Sequence, residues 1–212
     1  IPVAEDSGLI LPIGEWLLRS ACEHYMRWQG AGLPAFALSV NVSALQLMRG
    51  GLVALVERVL QETGMPAERL ELEITETAVM SNVDLAIDML QQVKALGVRV
   101  AIDDFGVGYS SLGQLKRFPI DILKVDRSFV LDVGHDRDAA AIVSAIVAMG
   151  HALGHVVVAE GVETPEQLAL LRQKHCDQAQ GFHHSRPLEA EAFTDYLRAQ
   201  AGHGVTASAT CG

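Results

Sequence analysis

Short apolar runs that each stop on a polar, chemically useful residue alternate along this chain with amphipathic helical segments, and that alternation limits the fold more than any other feature. A run of roughly four to eight apolar residues between turn signals reads as a strand buried on both faces, the habit of parallel sheets covered by helices. Runs ending at Asn41, Glu73, Asp103, Val125, Glu160 and Gln180 give six strands. Helical spacing fills the intervals: Pro12 to Gln29, Leu52 to Thr63, a segment opened by Asn82 and stopped at Gly97, a turn near Leu112 to Phe118, Asp138 to Leu153, a helix capped by Thr164 and Gln167 with Pro165 in its first turn, and Leu188 to Ala199. The repeating unit is β then α. A closed barrel of such units takes eight strands and ~250 residues, so the expected fold is α/β, a TIM-like (β/α) barrel incomplete in this chain, with about six of the eight strands. An open doubly wound sheet is the alternative. Carboxylates at the ends of so many consecutive strands favour the barrel, whose chemistry gathers at the C-terminal strand ends.

Composition narrows the function classes. Half of the 212 residues are hydrophobic and one in five is charged, which suits one soluble domain, residues 1–200, with a substantial core. No apolar stretch approaches the ~20 residues of a membrane span and no cleavable leader opens the chain, so a cytoplasmic location is expected. Cys22, Cys176 and Cys211 are odd in number and lack a CxxC pair, which points to ordinary reduced thiols. A formal charge of −10 argues against a nucleic-acid polymer as partner, since that affinity rests on Lys and Arg. The chain starts at Ile1, without Met, in what reads as a loop, which suggests an upstream part; residues 201–212, rich in Gly, Ala, Ser and Thr, read as a flexible tail.

The chemistry centres on Asp103-Asp104. Two adjacent carboxylates in a confined site repel unless cations lie between them. With Glu73 and Asn41 at neighbouring strand ends, the set is oxygen-rich and free of thiolate and histidine, which favours Mg²⁺ or Mn²⁺ over zinc. Lys124 sits between Leu123 and Val125, and a buried lysine requires a partner or a role. Beside a metal site its ammonium can orient an attacking water and offset charge on a phosphate; a lysine reaching solvent from a strand rim is the plainer alternative. Glu160 closes the run Val156 to Ala159, as a site residue or as one half of a salt bridge at the rim. Glu76 and Glu163, three residues beyond Glu73 and Glu160, are expected to hold loops in place. His183 and His184 are adjacent and in extended backbone would point apart, so they are not expected to chelate one ion. Gly106 and Gly108 suggest a hinge or lid more than a phosphate cradle.

These residues lie in segments that resemble one family. Ile1 to Glu5, Asn41-Val42-Ser43, Glu71 to Glu76, Asp103 to Leu112, Lys124-Val125-Asp126, Ala159 to Thr164 and Gln180-Gly181-Phe182 with Arg186-Pro187 are similar, in order and spacing, to the EAL domain, a bacterial cyclic di-GMP phosphodiesterase family. The resemblance implies that Asn41, Glu73 and Asp103 hold one metal and that Asp103 bridges to a second, also bound by Asp104. It implies further that Lys124 and Glu160 position the attacking water with Gln180 beside it, that Glu76 and Glu163 are structural acids, and that cyclic di-GMP is opened to linear pGpG with two Mg²⁺ or Mn²⁺ ions. A homodimer contact over 132–138 and upstream sensor or GGDEF domains are expectations of the same origin. Two departures stand out: Val107 replaces the usual threonine, and the signature Glu-Ala-Leu, whose glutamate is a metal ligand upstream of the Pro-Val-Ala-Glu segment, is absent, so this chain alone is expected to hydrolyse poorly. A non-catalytic cyclic di-GMP receptor and an unrelated metal-dependent barrel lyase, in which Lys124 would abstract a carbon-bound proton, are the rival readings.

Overall fold

The structure, a computed structural model, describes residues 2–108, 112–201 and 208–211. In chain order its elements are α1 (Pro2–Asp6), α2 (Ile10–Gly30), β1 (Ala37–Val42), α3 (Ala44–Arg49), α4 (Leu52–Thr63), β2 (Leu70–Thr75), α5 (Glu76–Ser81), α6 (Val83–Ala95), β3 (Arg99–Phe105), α7 (Leu112–Leu115), β4 (Ile122–Val125), α8 (Arg127–Leu131), α9 (Arg137–Ala152), β5 (Val156–Ala159), α10 (Pro165–Gln173), β6 (Gln178–Ala179), α11 (Ala190–Ala201) and β7 (Ser208–Cys211). All seven strands form one sheet in the order β6-β5-β4-β3-β2-β1-β7, and every neighbouring pair is parallel. From β1 to β6 each strand pairs with the next in sequence. A doubly wound sheet reverses its strand order at a switch point; this one does not, so β1–β6 make a half-barrel of TIM-like type.

Alternation along each strand separates two layers. Leu38, Val40, Leu70, Leu72, Ile74, Val100, Ile102, Leu123, Val125 and Val157 point outward into one continuous core shared with the helices. Residues of the opposite parity point inward, where Ala101, Ile122 and Val158 form a separate small apolar cluster. The polar strand-end residues continue that inward row, which is why runs read from sequence as uniformly apolar carry carboxylates without breaking the core.

Helix ends follow local chemistry. Asn82 accepts from the Leu85 N–H at the start of α6, and Thr164 with Gln167 forms a reciprocal capping box on α10, each cap contributing about 1 kcal/mol. Gln167 also donates to the Leu131 carbonyl, joining α10 to α8. The short helices α3, α5 and α8 were not anticipated, because none is long enough to show an apolar period, although Ser43 and Gln46 carry the capping-box spacing that opens α3. Gln46 lies against α2 where Gly14 has no side chain; a Cβ there would sit 2.1 Å from Gln46 Nε2. Two expectations are corrected. Residues 2–6, read as loop, form the helix α1. The segment read as a tail contains β7, which pairs in parallel with β1 over Ser208–Cys211. No helix among the described residues is long and apolar enough to cross a membrane.

Candidate metal-binding active site

Strand parity gathers the polar residues at the C-terminal rim. Asn41 and Glu73 are direct register partners across β1 and β2, and Thr75 of β2 pairs with Asp103 of β3. Lys124 of β4 pairs with Val158, two residues before Glu160. Lys124 is 2% exposed, and its Nζ lies 2.8 Å from Glu73 Oε2, 2.6 Å from Glu160 Oε1 and 3.4 Å from Asp103 Oδ1. The lysine is therefore not a solvated rim residue; it is the cation at the centre of three carboxylates.

Adjacent residues of a regular strand face opposite ways, yet Asp103, Asp104 and Glu160 each offer an oxygen within 4.8 Å of the others. A bulge explains this. Ile102 pairs with Leu123 and Phe105 with Val125, so β3 spends one residue more than β4 over the same span, and Asp104 adopts φ 54°. That left-handed conformation is tolerated by Asp better than by most residues. The Asp103 carboxylate accepts from the Asp104 N–H, fixing the turn. Asp126, two residues beyond Lys124 and so on the same parity, interacts with Asp104 and was missed from the sequence despite that spacing. Glu76 is buried in the loop behind: its Oε2 accepts from Gly106 N at 3.0 Å and Gly108 N at 3.2 Å.

Concentrating acids has an electrostatic cost. Burial, ahead of the opposing pull of Lys124, pushes the Glu73 carboxyl up, and Glu160 rises to about 7 from the same burial with Asp103 adding to it. Partial desolvation followed by the charges of Asp103 and Asp126 raises Asp104. Burial alone would lower Lys124, but Glu73, Asp103 and Glu160 together outweigh it and hold the ammonium charged well above its ordinary range. Below the rim, Glu71 is hydrogen-bonded by Ser39 and lies 3.7 Å from Arg99; burial raises it too. A cavity of about 430 Å³ opens inside the half-barrel toward the N-terminal strand ends, lined by Ala37, Ser39, Arg69, Glu71 and Arg99 among others; it reaches Glu73 and Lys124 but is not lined by Asp103, Asp104 or Glu160.

The residues present suit a divalent cation. Among the described residues four carboxylates, Glu73, Asp103, Asp104 and Glu160, surround one ammonium, with Asp126 beside Asp104, an imbalance that cations would relieve. Glu73 Oε2, although near Lys124, has no aligned hydrogen bond and is the single buried side-chain polar atom so placed among the described residues, which leaves a lone pair for a ligand role. Gln180 closes the row at the end of β6, its N–H donating to Ala159 and its carbonyl accepting from Val162. Gly181 just beyond passes so close to Val162 that a Cβ would lie 2.2 Å from its carbonyl oxygen. Glu163 lies outside the cluster: its N–H donates to Gln167 and its exposed carboxylate is 3.7 Å from Arg127, a weak pair. His183 and His184 lie on a turn and not in extended backbone, so their rings meet edge-on at 5.3 Å instead of pointing apart.

A half-barrel with a carboxylate-rich rim around one lysine defines a class of metal-site α/β domain. The chain belongs to the EAL domain family, whose profile matches residues 1–187. It is 46% identical over 199 residues to the cyclic di-GMP phosphodiesterase NbdA of Pseudomonas aeruginosa, covering 94% of this chain and 25% of NbdA. In structure it is similar to the PaMucR phosphodiesterase in complex with c-di-GMP, with a TM-score of 0.88, 46% identity, and 91% of this chain and 78% of that one covered. It is also similar to BlrP1 of Klebsiella pneumoniae in a calcium and cy-diGMP complex, with a TM-score of 0.73, 33% identity, and 82% and 44% covered. The chain spans about a quarter of the length of the curated relatives it matches.

Proposed function

We propose that this chain carries the catalytic rim of a cyclic di-GMP phosphodiesterase that opens one phosphodiester to give linear pGpG. The observation that carries this reading is the convergence of Glu73, Asp103, Asp104 and Glu160 on Lys124 in a chain of the EAL family, with one oxygen of Glu73 left without an aligned donor. Asn41, Glu73, Asp103 and Asp104 would hold two divalent ions, Mg²⁺ or Mn²⁺ by the hardness of the oxygen ligands. When bound, such ions clamp the phosphate and offset its charge. The reaction forms a bond from a water oxygen to phosphorus and breaks the bond from phosphorus to the ribose 3′ oxygen, which leaves as a hydroxyl. Lys124 holds its charge throughout and steadies the negative phosphoryl oxygens. Glu160, poised near neutrality at about 7, accepts the proton of the incoming water, with Gln180 as its neighbour in the row. Glu76, by holding Gly106 and Gly108, keeps the backbone after Asp104 in place. A cytoplasmic setting follows from a second-messenger substrate, and a homodimer contact over 132–138 stays part of the proposal on the family resemblance alone.

The test is to incubate the protein with cyclic di-GMP and Mn²⁺, follow pGpG by chromatography, and measure Mn²⁺-dependent ligand binding by calorimetry. Both signals should vanish with EDTA and in Asp103→Asn. Absence of both in the unaltered protein, or signals indifferent to EDTA and to that substitution, would refute the proposal.

A further inference from the structure

One helix end and the strand after it recur along the chain. Lys94-Ala95-Leu96-Gly97 corresponds to His151-Ala152-Leu153-Gly154, and six residues beyond each glycine stands a rim acid, Asp103 or Glu160. The next strand in each case opens behind an aspartate, Asp121 or Asp177, three residues before Lys124 or Gln180. The two aspartates make the same contacts. Asp121 accepts from the Val100 N–H of β3 at 2.9 Å and from Lys94 Nζ at 2.5 Å. Asp177 accepts from the Val157 N–H of β5 at 2.8 Å, and the same oxygen lies 2.8 Å from His151 Nε2. Each carboxylate thus ties the strand it precedes to the strand before it and to the helix before that. The two latches differ in one respect: a lysine keeps its charge at every ordinary pH, whereas a histidine changes charge between about pH 5 and 8.

The structure assigns His151 and Asp177 a positioning role: together they hold β6, and with it Gln180, in register beside Glu160, and they do so more firmly when the imidazole is charged. β6 depends on such a tie, because it pairs with β5 only through Gln178 and Ala179 before the Gln180 N–H donates to the Ala159 carbonyl at 2.8 Å. The aspartate favours the protonated ring in the folded state, so the added stability is whole at low pH and is lost as the pH rises through the titration of the ring. A neutral ring can still donate through Nε2, so charge and not the hydrogen bond is what disappears. Both side chains are more than a third exposed, which limits the effect to a factor of roughly two to five. The other titratable groups nearby stay constant in the comparison below: His155 faces Asp121 and burial keeps it neutral to lower pH, burial pushes the Cys176 thiol up to about 11, Lys174 donates to Ser144, and His175 and Arg172 complete the set. The inference rests on the activity proposed above for Glu160 and Gln180, but its structural arm does not need turnover.

The experiment compares the full chain with His151→Lys, which fixes the charge as Lys94 does, and with His151→Gln, which removes it. Without metal or substrate, protection of the Val157 and Gln180 amides is followed by hydrogen exchange from about pH 5.5 to 8.5 and corrected for the intrinsic rate. The parent should match His151→Lys at the low end and His151→Gln at the high end, with the two variants roughly two- to fivefold apart throughout. Turnover of cyclic di-GMP with Mn²⁺, taken as the ratio of parent to each variant at each pH, should follow the same pattern. A parent that runs parallel to either variant over the whole range, or three coincident curves, overturns the inference. So does an amide response that leaves the turnover ratios flat, which would make the pair a brace for β5 alone. Absence of turnover in all three proteins would count against the proposed activity, and the Gln180 amide would then decide this inference by itself.

Discussion

Replacing Lys124 with Met removes the one cation that faces Glu73, Asp103 and Glu160 among the described residues while keeping most of the side-chain volume. The Lys124 and Glu73 side chains are 2% and 1% exposed, so this pair lies in a poorly screened environment, whereas Asp103 and Glu160, at 14% and 17%, share their charge partly with water. Removing one partner of a buried pair costs about 3–5 kcal/mol, because the other charge is left without compensation. For a chain of this size that corresponds to a fall in Tm of about 10 °C. The sign of the pH effect follows from the acids. Without the ammonium, the folded-state pKa values of Glu73 and Glu160 lie further above the unfolded value of 4.5 for a Glu side chain. The penalty is therefore large at neutral pH, grows until the pH passes the raised folded-state values, and fades as the pH falls through the unfolded value, below which both states are protonated. Mn²⁺ should stabilise the variant more than the parent, since a ligand at a hundredfold its Kd contributes about 2.7 kcal/mol and here also replaces a lost charge. The assay is thermal unfolding in EDTA at neutral pH and near pH 4.5, repeated with Mn²⁺. An unchanged Tm at neutral pH would refute the electrostatic argument, and an equal loss at both pH values would assign the effect to packing.

Glu76→Gln should release the backbone after Asp104, because an amide oxygen accepts from Gly106 and Gly108 more weakly than a carboxylate. Faster hydrogen exchange at those two glycines together with weaker Mn²⁺ binding is the expected result, and unchanged exchange would show that other contacts hold the loop. Cys176 should resist alkylation at neutral pH, since burial pushes its thiol up to about 11 and the reactive thiolate forms only as the pH approaches that value. Mass spectrometry of the Cys176 peptide after iodoacetamide treatment checks this, and rapid labelling at pH 7.5 would contradict it.

The apolar runs made the singly wound half-barrel legible, because burial on both faces leaves a continuous hydrophobic stretch, and they placed the rim acids at the right strand ends. What could not be read was direction. Lys124 as the hub of three carboxylates depends on inward parity shared by β2, β3, β4 and β5, which no single run reveals. The shared site of Asp103 and Asp104 depends on an extra residue in β3 that appears only against its partner β4. Asp126 carried a usable signal, the spacing of two from Lys124, and Ser43 with Gln46 carried another. β7 was hidden for a different reason: small residues and Gly suggested a tail, and the period of two running through them was overlooked.

The bulge in β3 ties the paired acids to the length of the strand itself. Either acid can be exchanged for an amide with the backbone unchanged, but excision of Asp104 would restore an even ladder against β4 and bring an aromatic ring, Phe105, next in line after Asp103. In this scaffold a one-residue deletion would therefore move both acids at once, whereas a substitution at position 104 alters one side chain and leaves the spacing intact.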